Sequence, residues 1–140
     1  MPERAILLDT LVWIWFTNGS DRLAGSDACA AIESAIDSSS AFLSSISLWE
    51  TAMLVSKRRI TLSMDSLEWM RNGLDKTGIQ LLDITPEIAA ESANLGEGFH
   101  GDPADRIIVA GARIHNCHLV TRDARILAYA REGHCKALPA

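Results

Sequence analysis

Short apolar runs alternate with longer apolar or amphipathic segments from one end of the chain to the other. The short runs predict four to five buried strands, at residues 5–8, 41–43, 79–84, 118–121 and 136–138. The longer segments predict helices at residues 11–16, 27–36, 47–59, 65–76, 86–95, 103–115 and 123–131. This alternation is typical of an α/β fold in which helices cover both faces of a mostly parallel sheet.

Composition and charge narrow the class of protein. The 140 residues are 48% hydrophobic and 22% charged, which is typical of a globular protein and excludes disorder as the overall class. No repeat or Pro/Gly-rich linker divides the sequence, so we expect one domain over residues 1–140. The 13 basic and 18 acidic residues give a net charge of −5. This balance argues against a protein that coats nucleic acid nonspecifically, although metal ions held by carboxylates would reverse the local sign.

The cysteines and the apolar N-terminal run indicate where in the cell the protein is expected. Cys29, Cys117 and Cys135 are widely spaced and form no CxxC pair, which favours a reducing cytoplasm over a disulfide-bonded secreted protein. Asp9 interrupts the apolar run at residues 5–16, and the run is too short to span a bilayer. We therefore expect a cytoplasmic protein that does not engage a membrane.

Acidic residues recur where strands end and helices begin. Asp9 follows the first strand, and Asp123 lies two residues beyond the end of the fourth strand. Because the carboxyl ends of parallel strands form the sites of open α/β sheets, both carboxylates are expected at one edge. Asp105 lies in the first turn of a helix that Asp102 is expected to cap. Asp9 and Asp123 also have a purely local interpretation as helix caps, and Asp105 has one as a charge that favours the helix dipole.

A fourth carboxylate, Glu50, follows Ser47 at the spacing of a capping box. This local interpretation predicts that Ser47 caps the helix and that Glu50 bonds back to it, without preventing Glu50 from facing a site. Several carboxylates at one edge repel each other, and a divalent cation relieves that repulsion. A set of oxygen ligands with few histidines favours Mg²⁺ or Mn²⁺ over zinc.

In order and spacing, these segments resemble the four motifs of PIN-domain nucleases, and among them the VapC-type toxins of bacterial toxin–antitoxin pairs. The similar segments are Leu7-Leu8-Asp9-Thr10, Ser45-Ile46-Ser47-Leu48-Trp49-Glu50, Gly101-Asp102-Pro103-Ala104-Asp105-Arg106 and Leu119-Val120-Thr121-Arg122-Asp123. The resemblance covers residues 5–127 and implies a small three-layer α/β/α sandwich.

The resemblance also implies a mechanism, in which water activated by Mg²⁺ or Mn²⁺ hydrolyses RNA phosphodiester bonds. The acidic quartet that serves as catalytic and metal-binding residues would be Asp9, Glu50, Asp105 and Asp123. Supporting residues that orient these carboxylates would be Thr10, Ser47, Asp102 and Thr121. The partners it implies are an RNA substrate, a cognate antitoxin, a second copy of the chain in a homodimer, and DNA only through the antitoxin complex. The alternative is a catalytically silent PIN-domain protein that only binds.

The candidate RNA contacts are the cluster Lys57-Arg58-Arg59, Arg106 and Arg122. Two of them have a structural alternative, because the cluster lies where a helix ends and Arg106 is placed to pair with Asp102. Trp49 is expected in the core or at an interface rather than as a stacking platform for bases.

Overall fold

The computed structural model describes residues 4–140, which form one five-stranded sheet and seven helices. The strands are β1 (Ile6–Leu8), β2 (Ala41–Ser44), β3 (Gln80–Leu82), β4 (His118–Thr121) and β5 (Lys136–Pro139). The helices are α1 (Thr10–Thr17), α2 (Asp27–Asp37), α3 (Ile46–Ser56), α4 (Ser66–Thr77), α5 (Pro86–Ser92), α6 (Pro103–Ile114) and α7 (Ala124–Arg131). The predicted α/β class is confirmed, and so is the fifth strand.

All neighbouring strands run parallel, in the spatial order β3-β2-β1-β4-β5. The central strand β1 pairs with both β2 and β4, and Ile6 lies opposite Ala41 on one side and His118 on the other. The strand order reverses direction beside β1, so the carboxyl ends of β1 and β4 border the crevice where α/β sheets form sites.

Two apolar clusters cover the two faces of the sheet and give the three layers. One cluster contains Trp13 of α1, Ile32 of α2 and Trp69 of α4, and the other contains Ile108 of α6 and Tyr129 of α7. Strand β1 contributes to both clusters because its three residues are all buried and point to alternate faces. Among residues 4–140, no helix has the length and apolar character needed to cross a membrane.

The capping box predicted for Ser47 and Glu50 is wrong. Helix α3 begins at Ile46, after Ser45, so Ser47 lies inside the helix and is fully buried. The chain turns earlier because β2 ends at Ser44, whose hydroxyl accepts a hydrogen bond from the Ile46 backbone N–H at 3.3 Å. The helix also ends before the predicted residue 59, since Arg58 has a φ of +58° and cannot continue it.

Candidate active site

Asp9 lies in an open cleft of about 490 Å³ at the carboxyl edge of the sheet. The backbone N–H of Asp9 donates to Val120 O at 3.0 Å, which continues the pairing of β1 with β4 up to the cleft. Its Oδ1 accepts from the Thr10 N–H at 2.9 Å and caps α1, while its Oδ2 accepts from the Thr121 hydroxyl at 2.6 Å. Asp9 is therefore a helix cap and a carboxylate of the cleft at the same time.

Glu50 reaches the same cleft from α3 and is held by the first turn of α1. The hydroxyl of Thr10 donates to Glu50 Oε1 at 2.5 Å and lies 2.8 Å from the hydroxyl oxygen of Ser47. A hydroxyl has one proton and a carboxylate only accepts, so the Ser47 hydroxyl is placed to donate to Thr10. Ser47 thus supports the carboxylate through Thr10, from inside the helix, rather than by capping it.

Asp102 and Asp105 lie at the start of α6. Asp102 Oδ1 accepts from the Asp105 backbone N–H at 2.8 Å and caps the helix, as predicted. One carboxylate oxygen from each of Glu50, Asp102 and Asp105 lies within 4.8 Å of the other two. Asp102 therefore belongs to the acidic cluster itself, whereas the sequence suggested a supporting position for it. It is exposed, while Asp105 is buried.

Gly101 is a positioning residue that the sequence analysis missed. A Cβ atom at this position would overlap the Phe99 ring and would lie 2.9 Å from Asp105 Cβ. Phe99 is buried in the apolar cluster of α6 and α7, so its ring cannot move aside cheaply. Only a residue without a side chain lets the backbone pass between that ring and Asp105.

Asp123 completes the cleft from the end of β4. It caps α7, because its Oδ1 accepts from the backbone N–H groups of Arg125 at 2.8 Å and Ile126 at 3.3 Å. Its own N–H donates to the Thr121 hydroxyl oxygen at 3.0 Å. The Thr121 side chain therefore fixes both Asp9 and Asp123, and it is fully buried while doing so.

Arg125 bridges two of the four predicted catalytic carboxylates, and the sequence analysis missed it. Its Nη2 lies 3.0 Å from Asp123 Oδ2 and 3.1 Å from Asp105 Oδ2. The only sequence signal was its position two residues after Asp123, in the first turn of α7. The bridge to Asp105 joins residues twenty positions apart, which local patterning does not reveal.

Burial and mutual repulsion disturb the carboxylates of the cleft. Burial raises the pKa of Asp105 to about 7, with further contributions from the charges of Asp102, Asp9, Glu50 and Asp123. Burial also raises the pKa values of Asp9 and Glu50, although hydrogen bonds from Thr121 to Asp9 and from Thr10 to Glu50 oppose this. Burial and neighbouring charges thus disfavour the ionised form of these carboxylates. A bound cation would stabilise that form, so the cluster is a candidate cation site.

The pKa shift of Asp123 is opposite in direction to those of Asp9, Glu50 and Asp105. Burial alone would raise its pKa, but hydrogen bonds from the Arg125 side chain and from the backbone N–H groups of Arg125 and Ile126 outweigh that effect. The pKa of Asp123 therefore lies below its ordinary value. Arg125 provides in this structure part of the positive charge that the acidic cleft requires.

The residues present fit a hard divalent cation. The candidate metal group found among residues 4–140 is Glu50, Asp102 and Asp105, which offers carboxylate oxygens alone, while Asp9 and Asp123 line the same cleft outside that group. Oxygen-only donor sets suit Mg²⁺ and Mn²⁺. The electrostatic strain on Asp105 is the observation that favours occupation, because a cation removes it.

The predicted RNA contacts lie in different places, and Arg58 and Arg59 do not line the cleft. Arg122 lines the cleft, where its guanidinium sits 4.6 Å from the centre of the Trp15 ring. Arg22 lines it too and lies 5.5 Å from the same ring. Arg106 faces away: it donates to the Ser92 and Phe99 carbonyls and does not pair with Asp102, so it holds α5 and the following loop to α6. Lys57 caps the end of α3 and lines a second groove beside the cleft.

Comparison with known proteins identifies the family of this chain. A sequence model of the family described as PIN domain matches residues 6–132. The chain belongs to the PIN-domain family. This PIN domain is 36% identical over 124 residues to Ribonuclease VapC22 of Mycobacterium tuberculosis (strain ATCC 25618 / H37Rv), a match that covers 89% of this chain and 91% of that protein. The recognition of a VapC-like PIN domain from its four motifs is confirmed.

Solved structures share the fold of this PIN domain at lower identity. The structure of VapBC2 from Rickettsia felis, bound to a DNA fragment from its promoter, matches with a TM-score of 0.69 and 18% identity over 96% of this chain and 98% of that one. DNA-bound VapBC from Salmonella typhimurium matches with a TM-score of 0.66 and 16% identity over 97% of this chain and 98% of that one. These likenesses support the fold, and the three-layer sandwich expected for a PIN domain is confirmed.

Proposed function

We propose that this PIN domain is a Mg²⁺- or Mn²⁺-dependent endoribonuclease and the toxin of a toxin–antitoxin pair. The observation that carries the proposal is the convergence of Asp9, Glu50, Asp105 and Asp123 on one cleft. Four different elements supply these carboxylates, and burial and repulsion raise the pKa of Asp105 to about 7. The similarity to a protein named as a ribonuclease supports the same activity.

A divalent ion bound here would supply Lewis-acid stabilisation of the charge that develops on phosphate oxygens and would activate water for attack. The chain's own residues hold the carboxylates in position. Thr121 fixes one oxygen of Asp9, and Thr10, supported by Ser47, fixes one oxygen of Glu50. Because these hydrogen bonds favour the ionised carboxylates, they oppose protonation at the atoms that would contact the ion.

Substrate contacts are proposed for the basic rim of the cleft. Arg22 and Arg122 both lie against Trp15, and Arg122 is further fixed by donating to the carbonyls of Arg22 and Ala140. Fixed guanidinium groups suit phosphate oxygens because they present several donors in a rigid plane. The rim therefore offers the phosphates of RNA a counter-charge beside the acidic cluster.

The test compares RNA cleavage by the wild type and by Asp9→Asn, with Mg²⁺, Mn²⁺ or EDTA, on total RNA and on structured RNA. Asparagine is as good a helix cap as aspartate, so this change removes a charge and leaves the cap of α1. Asp65→Asn is the matched control: Asp65 caps α4 and is not among the residues lining the cleft. Cleavage by the wild type and the control, lost in EDTA and in Asp9→Asn, is expected.

Equal cleavage by wild type and Asp9→Asn would contradict the site assignment. If no protein cleaves, Mn²⁺ titration decides between the two functions. Ion binding by the wild type that is lost in Asp9→Asn would retain the metal nuclease. RNA binding without ion binding would favour the PIN domain that only binds.

The partner proposal follows from the structural neighbours, which are toxin–antitoxin complexes, three of them bound to DNA. We infer a cytoplasmic homodimer whose cognate antitoxin inserts a segment with a basic residue into the acidic cleft. DNA binding then belongs to the complex, since this chain carries a net charge of −5. Light scattering should give twice the chain mass, and the antitoxin should co-elute and block Mn²⁺ binding.

A further inference from the structure

A second groove, of about 270 Å³, adjoins the acidic cleft. The two share Glu50 and Asp102 as lining residues, so the groove opens directly onto the carboxylates. Its floor is formed by α3 and by the first residues of α6, including Pro103. A polymer that enters the cleft at Glu50 can continue along this groove without leaving the surface of the protein.

Trp49 provides the aromatic surface of the groove. Its side chain is 56% exposed, although Trp13 and Trp69 are buried and pack edge to face at 5.0 Å in the core. Among the described residues, Trp49 belongs to neither apolar cluster of the sheet. Of the two positions expected for Trp49, the core is therefore wrong, and a surface that contacts a partner or a ligand remains. An exposed indole beside a phosphodiester-cleaving site can stack on a base, because every base has a π face.

The face of α3 that carries Trp49 continues with Met53 and Lys57. These three residues lie four positions apart, so they form one row along the helix, roughly 12 Å from first to last. Glu50 is the next residue after Trp49 and points into the cleft. The helix thus presents a carboxylate to the cleft and, on the neighbouring face, an aromatic ring followed by a cation.

The cations of the groove are Lys57 and Arg59, and both are exposed. Within residues 4–140, neither forms a salt bridge with an acidic side chain. Arg113 and Arg125, by contrast, are paired with Glu91 and with Asp105 and Asp123. Two unpaired cations next to an exposed indole complement a base and its phosphate, and a purely apolar partner would leave the cations unsatisfied.

We propose that this groove is a subsite for single-stranded RNA, in which a base flanking the cleaved phosphodiester stacks on Trp49 and its phosphate binds Lys57 and Arg59. The proposal rests on the nuclease function above and adds a path for the substrate. It assigns different tasks to the two kinds of side chain. The indole contributes contact with the base, and the two cations contribute charge neutralisation.

The test uses Asp9→Asn as the parent protein with Mg²⁺ present, so that RNA binds without being cut. The probe is a fluorescein-labelled, single-stranded RNA of mixed sequence and about twelve nucleotides, followed by fluorescence anisotropy. Adding Trp49→Ala should raise Kd about 5- to 150-fold, since loss of one stacked base is worth about 1–3 kcal/mol. Trp49→Phe should restore part of the affinity.

The salt dependence of RNA binding distinguishes base stacking by Trp49 from charge neutralisation by Lys57 and Arg59. Lys57→Ala and Arg59→Ala should each lower the slope of log Kd against log salt by about 0.7, the value for one phosphate contact with a single strand. Trp49→Ala should leave that slope unchanged. Arg58→Ala is the matched control, because it removes one charge from the same cluster at a residue that is not among those lining the groove. It should alter Kd less than 2-fold, about 0.4 kcal/mol.

Three results would overturn the subsite: no RNA binding by the parent, equal affinity of the parent and Trp49→Ala, or equal salt slopes for Arg59→Ala and the parent. If Trp49→Ala instead halves the mass seen by light scattering without weakening RNA binding, the groove is occupied by a second copy of the chain. The nuclease proposal fails separately. A wild type that binds RNA through Trp49 but cleaves none retains the subsite and loses the catalytic assignment.

Discussion

At the scale of single residues, the cleft is defined by which polar atoms hold each carboxylate. Thr10 and Thr121 each donate a hydroxyl hydrogen bond to a catalytic candidate, and both are buried. Asp9, Asp102 and Asp123 cap helices as well as lining the cleft. The capping interactions help these three carboxylates to stay close together, because backbone N–H groups bind one oxygen of each and favour its ionised form.

The Arg125 side chain is predicted to weaken metal binding in the cleft. Its guanidinium binds one oxygen of Asp105 and one of Asp123, so an ion that used either oxygen would compete with it. In Arg125→Ala, Mn²⁺ should bind about 2- to 5-fold more tightly at pH 8, since an exposed ion pair contributes at most about 1 kcal/mol. Isothermal titration calorimetry would measure this, with Arg131→Ala at the other end of α7 as the control. Weaker binding would show that Arg125 positions the carboxylates instead of competing with the ion.

At the scale of elements, Gly101 before α6 and Gly111 inside it differ in the space available for a side chain. A Cβ at Gly111, inside α6, would lie 3.7 Å from Leu7 Cδ2 and 3.9 Å from Ile88 Cδ1, which is ordinary contact. A Cβ at Gly101 would overlap the Phe99 ring and Asp105. Helix α6 therefore tolerates an added methyl group near its end, whereas the loop that delivers Asp105 does not.

Alanine substitutions at these two glycines should therefore change the free energy of unfolding in opposite directions. Gly111→Ala should raise the free energy of unfolding by about 1 kcal/mol, because alanine is the better helix former and the methyl group finds space. Gly101→Ala should lower it by about 1–3 kcal/mol through overpacking. Urea denaturation of both variants would measure the difference. Destabilisation by Gly111→Ala would mean that α6 packs against β1 and α5 more tightly than these distances indicate.

At the scale of the whole molecule, the acidic cleft couples stability to pH and to metal. The pKa of Asp105 is about 7 in the fold, above its ordinary value of 3.8, so the fold favours the protonated form. The stability from this group is fully present below pH 3.8 and is lost as pH rises towards 7. Metal-free protein should consequently gain stability when this charge is removed, most clearly at alkaline pH.

The whole-molecule prediction concerns Asp105→Asn. In EDTA at pH 8, this variant should be about 1–2 kcal/mol more stable than the wild type, and at pH 5 the advantage should shrink because the wild-type carboxyl is then protonated. Mn²⁺ at about 100 times its Kd should stabilise the wild type by about 2.7 kcal/mol and the variant much less. Differential scanning calorimetry at both pH values checks this. A variant less stable than the wild type in EDTA would contradict the electrostatic account.

Local patterns in the sequence were enough to predict the α/β class, the element order and the edge at which the carboxylates meet. Apolar periodicity selects strands and helices, and the ends of parallel strands share one edge. Asp9 after β1 and Asp123 after β4 could be placed in this way. Glu50 and Asp105 were identified through motif resemblance, since the position of Glu50 alone admits a capping interpretation and that of Asp105 a favourable interaction with the helix dipole.

Contacts between side chains that are distant in the sequence became visible in the folded structure alone. The Thr10–Glu50 hydrogen bond joins residues forty positions apart, and the Arg125–Asp105 bridge joins residues twenty positions apart. Such contacts depend on how α1, α3, α6 and α7 pack on the sheet and on the rotamers that this packing allows, which no local pattern encodes. For the same reason, packing buried Trp69 and left Trp49 exposed, although both lie on helices with apolar neighbours.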